Sequence, residues 1–151
     1  MKKLGKTIAI QGDPIHSINR KTDTTLLLAA EAQRRGYKIY YYETKNLTFL
    51  RNSLYALCKE VEFYENKKNF YFIKDTKTID LSKVDFIFMR QNPPFNMDYI
   101  TATFLLEKIS NKTRIINDPF AVRNMPEKLY SIDFLQLMPP TIFTQDIRAI
   151  E

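Results

Sequence analysis

The sequence predicts an α/β fold of three layers, with a mainly parallel sheet and one antiparallel hairpin. Three observations predict it. A strand-like run, a helical pattern and a second strand-like run follow one another within residues 6–42, the βαβ unit of a parallel strand pair. Residues 55–73 then alternate apolar and polar, as a hairpin does. Finally Phe86-Ile87-Phe88-Met89 shows no alternation, the pattern of a strand covered on both faces.

The elements follow in order. Lys6 to Gln11 carries Ile8, Ala9 and Ile10 and runs into Gly12-Asp13-Pro14, a loop signal. The loop continues through His16, Ser17, Asn19 and Arg20. Thr22 or Asp23 can cap the helix after it, which spaces Leu26, Leu27, Ala30 and Arg34 helically and ends at Gly36. Tyr37 to Tyr42 is the second strand, and its three consecutive tyrosines read as strand packing or a subunit contact. Ala56 to Tyr64 alternates, Glu65 to Asn69 makes a charged turn, and Phe70 to Ile73 returns as a strand. After the central run, Pro93-Pro94 forbids continuation as a central strand. A helix begins near Asp98, with Ala102, Leu105, Leu106 and Ile109 on one face and Asn111 near its end. Arg114 to Ile116 is a short strand closed by Asn117-Asp118-Pro119, and Ala121 to Asn124 is a helical turn. Pro126 opens a helix from Glu127 to Leu135, Thr141 to Thr144 reads as a strand, and Gln145 to Glu151 begins a further element.

Composition narrows the function classes. The 151 residues are 44% hydrophobic and 26% charged, which suits one soluble domain. The net charge of +6 is spread thinly, its densest groups being the pairs Lys2-Lys3, Arg34-Arg35 and Lys67-Lys68. A nucleic-acid surface would show a basic stripe with aromatics between, so small anionic substrates are the better expectation. The single cysteine, Cys58, excludes an internal disulfide and lies in an alternating run, where it packs. The single histidine, His16, excludes a multi-His metal site. No apolar stretch approaches membrane-spanning length and no secretory h-region precedes the first strand, so the expectation is a cytoplasmic protein. Three glycines, Gly5, Gly12 and Gly36, cannot build a glycine-rich phosphate loop.

The candidate site lies where the central strand ends. Arg90 there has a planar fork suited to a carboxylate or phosphate, and Pro93-Pro94 makes a rigid turn before a helix. Open α/β sheets bind ligands at such strand ends. The alternative for Arg90 is a structural pair with Asp13 or Asp98. Asp13, Ser17 and Asn19 belong to the loop after the first strand, at the same edge of a parallel sheet. They either contribute to the crevice or only form turns that shape the loop. Asn117, closing another strand, has the same two readings.

Four blocks identify a family resemblance: Gly12-Asp-Pro-Ile-His-Ser-Ile-Asn19, Glu31-Ala-Gln-Arg-Arg-Gly-Tyr37, Met89-Arg-Gln-Asn-Pro-Pro-Phe95 with Tyr99-Ile-Thr-Ala-Thr103, and Ile115-Ile-Asn-Asp-Pro119 with Pro126-Glu-Lys-Leu129. In this order they resemble the N-terminal part of bacterial glutathione synthetase, a family of ATP-grasp ligases. Two positions depart from the family pattern: Asn92 and Asn96 stand where it usually or often carries acidic residues.

The resemblance implies a Rossmann-like pre-ATP-grasp substrate domain over residues 1–124, with residues 125–151 as a linker into the ATP-grasp region. It implies the ATP-dependent joining of γ-glutamylcysteine and glycine to glutathione, with ADP and phosphate released. Phosphorylation turns the cysteinyl carboxylate into an electrophile, so catalysis is positioning and charge neutralisation, with no covalent nucleophile. Arg90 and Pro93 are implied to lie against the dipeptide, and Lys128 to reach ATP phosphate. ATP and Mg²⁺ are expected in a full-length enzyme, with none bound to this chain and no activity from it alone. A homo-oligomer, dimer or tetramer, is implied as well. The competing expectation is a stand-alone Rossmann-like small-molecule-binding module without catalysis.

Overall fold

A computed structural model describes residues 6–64, 68–126 and 128–150. The first unit is β1 (Thr7–Gln11), α1 (Thr24–Arg34) and β2 (Lys38–Tyr42), with β1 and β2 parallel. The Asp23 side chain caps α1 by accepting from the Thr25 amide. Just past the C-cap Arg35, Gly36 takes a positive φ of 81°, which glycine adopts without steric cost. Three further antiparallel strands follow: β3 (Leu47–Leu50), β4 (Ser53–Phe63) and β5 (Tyr71–Asp80). Then come β6 (Phe86–Met89), α2 (Met97–Glu107), β7 (Arg114–Ile116) and α3 (Pro119–Asn124).

The strands form one seven-stranded sheet in the order β3-β4-β2-β1-β6-β7, with β5 along the other side of β4. The strands β2, β1, β6 and β7 run parallel, as the βαβ pattern predicts. Two core clusters lie on opposite faces. Ile8, Ile10, Ile39 and Tyr41 pack with Leu26 and Ala29 of α1 on one face. Ala9, Tyr40, Tyr42, Ile87 and Met89 pack with Leu106 of α2 and Ile109 on the other. All five residues of β1 are buried because both faces and both edges of this strand are covered. The predicted face of α2 holds: Ala102, Leu106 and Ile109 are buried, and Leu105 packs against them. Cys58 and the three tyrosines are core residues.

Several expectations are corrected. The hairpin is longer than residues 55–73, because β5 runs on to Asp80. Lys74, Asp75 and Thr76 are exposed, as an outer-edge strand allows, and the pairing shifts register between Glu60 and Val61, which breaks the alternation. The strand β3 was not expected. It joins β4 through Arg51 and Asn52, both at positive φ, a two-residue hairpin turn made without glycine. On β6 only Ile87 and Met89 are buried; Phe86 and Phe88 are half-covered on the α1 side. The helix α2 stops at Glu107, before Asn111.

Residues Leu129–Leu137 form kinked 3₁₀ turns with no buried residue, not an α-helix, and Thr141 to Thr144 forms no strand. Their apolar side chains have no layer to pack on, and packing is what stabilises a short helix. Ile147–Ile150 is a further 3₁₀ turn. Lys2-Lys3, part of the Glu65 to Asn69 turn, Glu127 and Glu151 lie outside the described residues.

Candidate functional site

Parallel pairing sets the ends of β2, β1 and β6 side by side. Gln11 is in register with Tyr42 on one side and Met89 on the other. The ladder continues beyond them: the Gly12 amide donates to the Tyr42 carbonyl at 3.0 Å, and the Arg90 amide to the Gln11 carbonyl at 2.7 Å. The loop after β1 is therefore fixed beside the turn after β6. Gly12 is required by close approach, since a Cβ there would lie 2.2 Å from the Tyr41 hydroxyl. That hydroxyl donates to the Asp13 carbonyl at 2.6 Å. Burial, with the Asp13 charge adding, pushes the Tyr41 phenol far above its ordinary range, so it remains a donor.

Two depressions open here and share Asp13 and Asn92 as a wall. One, of about 180 Å³, is lined by Gly12, Glu43, Gln91, Pro93, Asp98 and Tyr99 among others. The other, of about 240 Å³, is lined by Ser17, Asn19, Thr24, Tyr41 and Arg90 among others. The wall is tied together: Asp13 Oδ2 accepts from the Asn92 side-chain amide at 2.7 Å and from its backbone amide at 3.1 Å.

Arg90 takes neither carboxylate offered to it by the sequence reading. Its Nη2 donates to Thr24 Oγ1 at 2.7 Å and its Nε to Thr25 Oγ1 at 3.2 Å, both in the first turn of α1. These hydroxyls orient the guanidinium without neutralising it. Burial raises the Tyr99 phenol; the Arg90 charge opposes that shift and the Asp13 charge adds to it. Tyr99 therefore feels both sides of the shared wall.

Of the residues singled out by sequence, Arg90, Asp13, Ser17 and Asn19 come together in one depression and Pro93 lines the other. The Ser17 hydroxyl donates to the Pro14 carbonyl, and Asn19 Oδ1 accepts from the Lys21 amide, so both also shape the loop. Asn117 is exposed beyond β7 and lines neither depression. Lys128 is exposed too, and among the described residues only its carbonyl is engaged, by Ser131. Asn92 and Asn96 acquire roles: Asn92 binds Asp13, and Asn96 caps α2 by accepting from the Tyr99 amide at 3.0 Å.

Sequence reasoning missed Thr24 and Thr25, which hold the arginine, and Gln11, Tyr42 and Gln91 at the strand ends. A signal existed for Gln11: a polar residue directly after Ile8-Ala9-Ile10 occupies a position that the pleat buries. The described residues do not fit Mg²⁺. No group of three or more His, Cys, Asp or Glu side chains among them could hold a metal, and the strand-end loops lack a glycine-rich cradle. No helix among the described residues is long and apolar enough to cross a membrane.

Comparison with known proteins agrees with this geometry. The family profile described as prokaryotic glutathione synthetase, N-terminal domain, matches residues 7–123. The chain is 41% identical over 145 residues to a glutathione synthetase of Agrobacterium fabrum, covering 96% of this chain and 46% of that protein. It is 40% identical over 152 residues to the Vibrio parahaemolyticus protein of that name, covering 100% and 47%. With the Buchnera aphidicola protein it shares 42% identity over 140 residues, covering 91% and 43%. The chain thus spans about half the length of the curated relatives it matches.

Proposed function

The chain belongs to the family of prokaryotic glutathione synthetase N-terminal domains, and from that premise we propose that it holds γ-glutamylcysteine for ATP-dependent ligation to glycine. One observation carries the reading. Arg90 ends a central parallel strand, is held in place by two threonine hydroxyls, and has no carboxylate partner among the described residues. An oriented guanidinium with no carboxylate hydrogen-bonded to it, in an open crevice, is suited to receive a ligand carboxylate. Asp13, Ser17, Asn19 and Pro93 complete the crevice walls, and Asn117 at the neighbouring strand end is a peripheral contact.

In a full-length protein we assign ATP and Mg²⁺ to residues beyond these 151, with Lys128 contributing to ATP phosphate from the segment after α3. Residues 1–124 are then the substrate domain and 125–151 the linker. The density of exposed apolar residues past α3, Leu129, Leu137, Ile142 and Ile147 among them, supports contacts with further protein. We include among these a homo-oligomeric assembly, dimer or tetramer, which light scattering at high concentration would refute by showing a strict monomer.

The testing experiment is calorimetric titration of the 151-residue chain with γ-glutamylcysteine, glycine and ATP–Mg²⁺ separately, with an ADP-release assay alongside. Binding of the dipeptide alone, without ADP release, is expected. Turnover by this chain, or binding of ATP–Mg²⁺ in place of the dipeptide, would overturn the reading. A stand-alone binding module predicts the same titration but no ligase activity from any longer form of the protein.

A further inference from the structure

Gln11 and Tyr42 end two neighbouring parallel strands, in register with each other. Side chains alternate between the faces of a strand. Ala9, Tyr40 and Tyr42 pack in the cluster on the α2 side, so Gln11, two residues after Ala9, turns to that side as well. Paired backbones lie about 4.8 Å apart, which roots the two side chains as neighbours on one face. Gln11 is 0% exposed and Tyr42 2%. The strands stay tied just past them, where the Gly12 amide donates to the Tyr42 carbonyl at 3.0 Å.

Both amide atoms of Gln11 and the Tyr42 hydroxyl are buried without a hydrogen-bond partner among the described residues, so the two side chains do not bond each other either. Buried amides and hydroxyls are nearly always satisfied, because an unmet one retains its desolvation cost. The cluster that holds Tyr42 contributes Ala9, Leu54, Ala56, Cys58 and Met89, which offer no strong side-chain donor or acceptor. Burial raises the Tyr42 phenol well above its ordinary range, so the hydroxyl keeps its proton and can both donate and accept. The amide likewise supplies a donor and an acceptor. Gln91 also has a buried amide without a partner, but it lines the crevice and belongs to that site.

We propose that an internal water molecule bridges the Gln11 amide and the Tyr42 hydroxyl, inside the core at the ends of β1 and β2. The bridge either accepts from the amide nitrogen and donates to the phenol oxygen, or donates to the amide oxygen and accepts from the phenol. Both arrangements suit a buried water, which needs two to four polar partners. A bridging water is nearly as good in enthalpy as a direct hydrogen bond. It fastens the two strands side chain to side chain, at the point where Gly12 and Glu43 leave the sheet. This role is independent of what occupies the crevice.

The test compares the 151-residue chain with Tyr42→Phe, Gln11→Met and the double variant, by urea unfolding and by oxygen-17 magnetic relaxation dispersion, which counts long-lived internal waters. Each single variant is expected to lower the urea midpoint and to lose a long-lived water. The double variant should fall by less than the sum, because either change alone removes the bridge. A group that is unmet in the native core behaves in the opposite way: its apolar replacement removes a desolvation cost and raises the midpoint. A raised midpoint would therefore overturn the proposal. So would a lowered midpoint with an unchanged count of long-lived waters, which would mean that the two side chains bond directly. If Gln11→Met does not fold, Tyr42→Phe, which removes a single oxygen, decides by the same two readouts.

Discussion

Arg90 and Thr24 are 66 positions apart in sequence, yet the guanidinium Nη2 meets the Thr24 hydroxyl at 2.7 Å. The contact joins the end of β6 to the start of α1 and aims the fork along the crevice. Arg90→Ala should therefore weaken γ-glutamylcysteine by about 10- to 200-fold, the equivalent of a charge-assisted contact of about 1.5–3 kcal/mol. Arg90→Lys should recover only part, since a point charge cannot reproduce the fork. Both variants should melt within a few degrees of the parent, because only hydrogen bonds to hydroxyls are lost. Calorimetry beside thermal melts checks this; a large fall in melting temperature would return Arg90 to a structural role.

Gly12→Ala should destabilise the fold by about 1–3 kcal/mol, the usual cost of overpacking. The new methyl would collide with the Tyr41 hydroxyl at 2.2 Å and the ring carbon behind it at 2.8 Å. Adding Tyr41→Phe removes the nearer clash but not the farther. The double variant should accordingly regain part of the loss in urea unfolding. Strict additivity of the two changes would show that these groups do not meet.

Asn96→Ala should cost about 1 kcal/mol through loss of the α2 cap, whereas Asn96→Asp should be neutral or mildly stabilising. The carboxylate can accept the same Tyr99 amide and favours the helix N-terminus. Chemical denaturation of the two variants decides it. This explains physically how an acidic residue and Asn96 serve equally well at this position.

Cys58 should resist alkylation in the native protein. Burial pushes its thiol up to about 12 from an ordinary value of 9.0. The folded thiol keeps its proton where the unfolded one loses it, so this group's contribution to stability is complete below pH 9 and falls as pH rises towards 12. Iodoacetamide at pH 8 should label it slowly in buffer and rapidly in denaturant. Equal rates would place the thiol at the surface.

The βαβ unit and α2 were legible because their signals are local: Ile8-Ala9-Ile10 before Gly12, Asp23 before α1, Gly36 after it, and apolar residues on one face of α2. The strand β3 was not, since Arg51 and Asn52 make its turn in conformations that their side chains do not announce. The far half of β5 is polar because it forms an edge, and polarity alone reads as loop. Residues 129–144 were over-read, having apolar spacing but no layer to pack on. In the site, Arg90 and Asp13 followed from strand-end reasoning. Gln11, Tyr42 and Gln91 acquire meaning only once parallel pairing sets them side by side. Exposed Lys128 and Asn117 owe their candidacy to family likeness and to strand-end position.

The enclosure of β1 has a consequence for time rather than shape. Amides that open only when the whole fold opens exchange with heavy water last. Thr7 to Gln11, covered on every side, should be the slowest-exchanging stretch of the chain, while the exposed turns of residues 129–150 exchange first. Gly12 and Asp13, which line the crevice, follow directly on that strand. A ligand arriving there meets a surface already at rest and loses little entropy in ordering it. Its residence is then governed by the contacts that it makes, not by the schedule of the protein's own breathing.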